Sequence, residues 1–526
     1  MLVDVAALTS VALGPVAEAF GVHEISRYST AQSSVTMRID VLPAERSGSG
    51  RLAASLVSLP IDASTLAIVP AVRPGPVIGP QPGTQPHRQV QSMRTLKELT
   101  LLSGPDISQY VAAHPHAVSS LLASPPPPRD VTLWWSTLGA RARSTLGSST
   151  PQLIGNLEGI PLSVRDGANR TMLHSTIDSL DELVSSDAGR SVIENAKQQL
   201  KMLRSISEAL DGVEAADLST VSSVAMQTCD LGKATRTLLT LDVAGQGRAA
   251  IVLGDLTTAD YVTFLVPGMF FTIENQMGAW AEAADQLYEQ QLDWLNYFGS
   301  KSEASPVRAA SDHFVPGLKT VAEQKIVAEQ NTVAPQKTVA TVAWIGYHTP
   351  NLTNVGGIQN ADEGRDALAS AIKGLQALRT SDEPYVTVIA HSYGSTAALM
   401  ALTEYDFEVD ALALVGSPGS PAKSVDELHV RSGNVYVGEG AWDPIPNSSY
   451  FGSDPGAASY GAKPMSVAGG NDSITGDPLL ASSGHNEYFS RGTESMRNFA
   501  LISIGKGQFV SGGSPVVLAK ASGPSK

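Results

Sequence analysis

Five stretches in the second half of the chain constrain its fold most: "YVTFLVPGM" (261–269), "ATVAWIGY" (340–347), "YVTVIAHS" (385–392), "DALALVGSPG" (410–419) and "NVYVGEG" (434–440). Each is a continuous apolar run that stops at Gly, Ser or a turn. A strand with one wet face alternates apolar and polar residues, whereas a strand covered on both faces does not. The runs therefore predict a mainly parallel sheet with helices on both faces, an α/β architecture, because helix-like segments lie between most of them. Ahead of them, "RTLLTLDVAGQGRAAIVLGD" (236–255) is two apolar runs joined by Ala-Gly-Gln-Gly, a hairpin that adds an antiparallel edge.

The chain has 526 residues, too many for one ordinary core. Residues 1–128 read as a separate N-terminal region of unknown function. In it "VRPGPVIGPQPGTQP" (72–86) and "PPPP" (125–128) bracket a helical stretch, and "SVTMRIDVL" and "STLAIVPAV" are candidate strands. Residues 129–234 read as a helical cap or support region. Within it "IGNLEGIPLSVRDGANR" (154–170) is a Gly-rich, charged connection that composition does not explain. Residues 235–510 form the sheet domain, interrupted near 300–339 by a polar, Lys/Val/Ala/Glu/Gln-repeating insertion that reads as a lid or a solvated loop.

A formal net charge of −15 argues against nucleic acid and against an anionic membrane surface as partners. The single cysteine, Cys229, allows neither an intramolecular disulfide nor a thiolate metal site. His114 and His116 form an H-x-H without a third ligand, so no metal and no cofactor is expected. The apolar start "MLVDVAALTSVALGPVAEAF" carries Asp4 and no Lys or Arg, which favours a cytoplasmic start over a secretion signal. No apolar run reaches the ~20 residues of a spanning helix, so stable membrane insertion is not expected. Composition says nothing of oligomeric state.

In parallel α/β sheets ligands bind beyond the carboxyl ends of the strands. Ser392 stands there, in "AHSYGS": a strand-to-helix turn of the G-x-S-x-G type with Ala390 in place of the first glycine. The small-residue helix that follows would turn its positive end toward a developing oxyanion. A serine nucleophile needs a base, and the base needs a carboxylate. Asp443 follows a strand in a rigid "DPIP" turn, 51 residues after Ser392, and His485 follows 42 residues later in "SSGHNEYF". Glu439, Asp454, Asp472 and Asp477 compete for the acid role; His429 precedes the acid, and the His391 ring is expected to point away. The oxyanion would meet the Tyr393 N–H and a donor from the "VPGM" loop, where Gly268 permits close approach and Met269 offers its N–H. Met269, Phe270, Phe271 and Tyr347 are candidates for an apolar acyl pocket, with His348 beside them.

Together these segments resemble the α/β-hydrolase superfamily, and more narrowly an actinobacterial group catalogued as a domain of unknown function. The motifs carrying the resemblance run in order from "IGNLEGIPLSVRDGANR" through "FLVPGM", "WIGYHTP", "AHSYGSTAA", "LVGSPG" and "DPIP" to "HNEYF". The resemblance implies Ser392 as nucleophile, Asp443 as acid and His485 as base. It departs at Ala390, which bears on the strain of the turn, and at His348, where an acidic residue is commoner, which bears on substrate preference. The expected activity is hydrolysis of a small-molecule carboxylic ester. Amide or peptide hydrolysis with the same residues, and an inactive binding protein on the same fold, are the alternatives.

Overall fold

The computed structural model describes residues 85–114, 116–212, 234–303 and 337–512. The strands expected at 34–42 and 64–72, Cys229 and nearly all of the 300–339 insertion lie outside these ranges.

An eight-stranded sheet organises the molecule: β1 (Arg236–Asp242), β2 (Arg248–Gly254), β3 (Tyr261–Val266), β4 (Val339–Ile345), β5 (Tyr385–His391), β6 (Ala411–Val415), β7 (Val435–Gly438) and β8 (Lys463–Pro464). Their spatial order is β1-β2-β4-β3-β5-β6-β7-β8. β1 and β2 form the expected hairpin, β2 also runs antiparallel to β4, and every later pairing is parallel. The mainly parallel α/β-hydrolase sheet read from the sequence is the fold observed.

The continuous runs have the expected physical cause. In β3, Val262, Phe264 and Val266 face one apolar cluster and Leu265 the other, so both faces are sealed from water. One face is covered by α1 (Leu162–Val184), α2 (Arg190–Asp211), α3 (Ile273–Glu303) and, later in the chain, Glu494–Ser503. The opposite face is covered by α4 (Gln359–Leu378) and α5 (Tyr393–Glu404). Fully burying each such Leu, Ile or Phe contributes about 1.5–3 kcal/mol, so the sheet is a rigid platform for whatever sits at its carboxyl end.

α1 and α2 form a helical hairpin that packs beneath the β1–β2 end of the sheet. They support the sheet there, and they contribute no side chain to the cavity beside Ser392. Shorter helices between Gln85 and Asn156 share a third core around Leu96, Trp134, Trp135 and Leu153. That core draws on Leu96, Ile107 and Leu121 as well as Val131 and Leu157, so its packing runs across residue 128.

The segment 154–170 now has a function in the fold. β1 is an edge strand, and an open edge presents unpaired backbone groups. Asn156 accepts from Leu241 N (2.9 Å) and donates to Leu241 O (2.7 Å). Asp166 accepts from Leu238 N (2.7 Å), Asn169 donates to Leu238 O (3.0 Å), and Arg170 donates to Arg236 O (2.6 Å). Arg165, almost fully buried, is held by both oxygens of Glu158 and donates to Gly155 O. Four polar side chains thus substitute for a ninth strand.

Candidate active site

Ser392 occupies the turn between β5 and α5 with φ 53° and ψ −131°, a left-handed conformation for a residue with a Cβ. Such backbone costs about 1–3 kcal/mol and persists only where its surroundings enforce it. The surroundings are explicit. Ser392 N donates to Val415 O at the end of β6. Ser395 Oγ donates to Ser392 O at 2.6 Å and meets Ser417 Oγ at 2.7 Å. A Cβ on Gly394 would stand 2.3 Å from Pro267 O, and one on Gly268 would stand 2.6 Å from Ser392 Cβ. Glycine at both positions is therefore required for the turn to nest against the end of β3. Ala390 departs from the usual glycine without harm, because its methyl joins the buried cluster of Val266 and Tyr393.

The three residues expected to act together meet. His485 Nε2 lies 2.7 Å from Ser392 Oγ, and His485 Nδ1 lies 2.9 Å from each oxygen of Asp443. An ionised carboxylate can only accept, so Nδ1 carries the proton and Nε2 is left to accept from the Ser392 hydroxyl. The side chains of His485 and Asp443 are both buried. Burial would raise the Asp443 carboxyl, but hydrogen bonds from His485, Tyr488 and the Ile445 N–H hold it below the ordinary value. The competing acids are engaged elsewhere: Asp472 pairs with Arg497, Glu439 accepts from Asn447, and Asp454 accepts from Gly456 N. Asp477 is exposed.

Three residues that sequence reasoning missed complete this arrangement. Tyr488 is fully buried, donates to Asp443 Oδ2 at 2.6 Å and accepts from Gly440 N at 2.7 Å. Gly416, with φ 58°, clears space: a Cβ there would lie 2.8 Å from His485 Cε1 and 3.0 Å from Asp443 Oδ2. His391 was expected to point away; instead its Nε2–H donates to the His485 carbonyl at 2.8 Å, with ring centroids 4.6 Å apart. Burial, then the charge of His485, pushes His391 down to about 3, so it is a neutral positioning residue.

Replacing Tyr488 by phenylalanine removes one hydrogen bond to a carboxylate, worth about 1.5–3 kcal/mol. Asp443 should then titrate higher. A depressed folded pKa contributes stability that is present above the unfolded value and lost as pH falls through the folded one. In Tyr488→Phe that contribution shrinks, so the unfolding free energy should depend less steeply on pH below about 4. Denaturant melts of both proteins across that range check it; identical slopes would refute it.

The loop after β3 faces the same serine. Among the described residues neither the Met269 nor the Tyr393 backbone N–H donates to a protein acceptor, the state required of oxyanion donors. The segment after β4 splints this loop. Tyr347 Oη donates to Pro267 O (2.7 Å), Thr349 Oγ1 to Phe271 O (3.1 Å), and Phe270 N to Pro350 O (2.9 Å). Phe270 is held at φ 63°.

A cavity of about 310 Å³ opens beside Ser392, lined in part by Met269, Phe270 and Phe271. Tyr347 and His348 do not. Tyr347 is fully buried, stacked on Trp344, and His348 pairs with Glu363 at 2.8 Å. The reason is strand order: β3 intervenes between β4 and β5, so residues following β4 stand behind the loop after β3. His348 therefore cannot set substrate preference by contact. In its place α3 contributes Trp280 and Ala283, and the loop after His485 contributes Phe489.

No described group of His, Cys, Asp and Glu side chains could hold a metal ion, and His114 stacks on Tyr110 with Nδ1 near the Tyr110 carbonyl. No described helix is long and apolar enough to cross a membrane.

The sheet order and the strained serine turn define an α/β hydrolase by fold, and residues 305–453 match the family model described as alpha/beta hydrolase. The chain is 25% identical over 432 residues to the uncharacterized protein Rv2079 of Mycobacterium tuberculosis, an alignment covering 73% of this chain and 57% of that one. It is 30% identical over 131 residues to the uncharacterized protein Mb0988c of Mycobacterium bovis, covering 25% of this chain and 47% of that relative. The chain thus spans about half the length of the curated relatives it matches.

Proposed function

We propose that this chain is a serine hydrolase that cleaves carboxylic esters through Ser392, His485 and Asp443. The observation that carries the reading is the continuous contact from the strained Ser392 Oγ through the His485 ring to the Asp443 carboxylate. His485 Nε2 takes the Ser392 proton as Oγ bonds to the ester carbonyl carbon. The Met269 and Tyr393 N–H groups receive the negative charge that moves onto the carbonyl oxygen. Collapse breaks the bond to the alcohol oxygen, which leaves with the proton from His485. Water, deprotonated by the same nitrogen, then attacks the acyl-serine, and the acid departs as Ser392 recovers its proton.

The test is covalent. A fluorophosphonate should label the full chain once, at Ser392, with hydrolysis of a p-nitrophenyl ester lost in parallel. Absence of both labelling and turnover would identify an inactive scaffold, and faster turnover of the matched anilide than of the ester would reassign the chain as an amidase.

A further inference from the structure

We infer that the acyl group taken by this site is a short to medium aliphatic chain, ended by Trp280 and Ala283 of α3. The inference rests on the ester-hydrolase reading above and adds to it the acyl class. The cavity floor is apolar: Met269, Trp280 and Ala283 are buried, and Phe271 and Phe489 close the sides. Besides Ser392 and His485, its polar residues are Asn486 and Ser490, which are exposed, Gln276, half-buried with its Oε1 accepting from Thr272, and the buried His391, whose Nε2–H is committed to the His485 carbonyl. An acyl chain directed from Ser392 toward Met269, Trp280 and Ala283 therefore meets mainly hydrocarbon, and the alcohol portion is left toward the exposed polar residues.

The depth is bounded. About 310 Å³ is at the small end of ligand sites. A buried apolar cavity of about 150 Å³ accommodates one benzene ring, so this one holds roughly two rings' worth of carbon. The end wall is fixed as well. Trp280 Nε1–H donates to the Leu265 carbonyl at 3.2 Å, and the indole lies edge-on to Phe271 and to Phe489, each at 4.9 Å between centroids. Swinging Trp280 aside to admit a longer chain would leave the buried indole N–H without its acceptor. Ala283, nearly one turn along α3 from Trp280, keeps the remaining depth open with a single methyl. A branched side chain there would fill it.

The experiment uses the full chain with p-nitrophenyl esters from acetate to palmitate. kcat/KM should peak between butyrate and octanoate and fall at least about tenfold by palmitate, the discrimination a single poorly fitting methylene can supply. Ala283→Leu should move the peak toward acetate, read as the ratio of octanoate to acetate kcat/KM, with the circular dichroism melt checking its fold. Trp280→Phe, which shortens the wall, should move the peak the other way. A wild-type peak at palmitate, or an unchanged ratio in a folded Ala283→Leu, overturns the inference and leaves the hydrolase reading standing. No turnover of any ester together with no phosphonate labelling overturns the hydrolase reading, and the inference with it.

Discussion

Replacing Ser392 by alanine should lower ester kcat/KM by on the order of a millionfold, and removing His485 from that variant should lower it hardly further. The reason is geometric. The 2.7 Å contact makes His485 act through Ser392: it would take the hydroxyl proton, pass it to the leaving alcohol and then deprotonate the water that attacks the acyl-serine, and each step needs the serine oxygen. Once the hydroxyl is gone the imidazole has nothing to deprotonate, so the two losses overlap instead of adding. What remains should come from the Met269 and Tyr393 N–H groups and from binding in the cavity. Steady-state kinetics on Ser392→Ala, His485→Ala and the double variant check this. Losses that multiply would mean that the two residues act independently and that the contact between them is incidental.

Asp443→Asn should lower kcat by about ten-thousandfold at neutral pH while leaving the fold intact. The carboxylate accepts from His485 Nδ1 and so fixes the tautomer whose Nε2 is free. An asparagine amide can instead present its N–H to Nδ1. That selects the tautomer protonated at Nε2, which cannot accept from Ser392. Tyr488 and the Ile445 N–H would still hold the side chain in place, so the loss would be of chemistry and not of position. Kinetics beside a thermal melt separate the two; a loss below about tenfold would remove Asp443 from the mechanism.

The strands were legible because burial on both faces writes itself as an unbroken apolar run, visible in "YVTVIAH" without any partner. Ser392 and Asp443 could be singled out because each follows a strand in a distinctive turn, and His485 because it is the only histidine after Asp443. Strand order was not legible. The chain runs β3, β4, β5, but in space β3 separates the other two, and this alone put Tyr347 and His348 behind the loop after β3 instead of in the cavity. Gly416 shows the same limit at one residue. Its sequence marks a turn, but the atoms it makes room for belong to Asp443 and His485, 27 and 69 residues further on. Trp280 reads as an apolar residue on a long helix, and nothing local says that one edge of it closes a cavity.

The side chains that seal β1 bear on how the chain is made as well as on how it stands. Asn156, Asp166 and Asn169 precede the backbone groups they cap by 85, 72 and 69 residues. During synthesis, where amino-terminal portions fold first, the sealing segment leaves the ribosome before the strand that needs it. In that order the groups that cap β1 are already present when β1 appears, so its edge need not wait for a later segment to cover it.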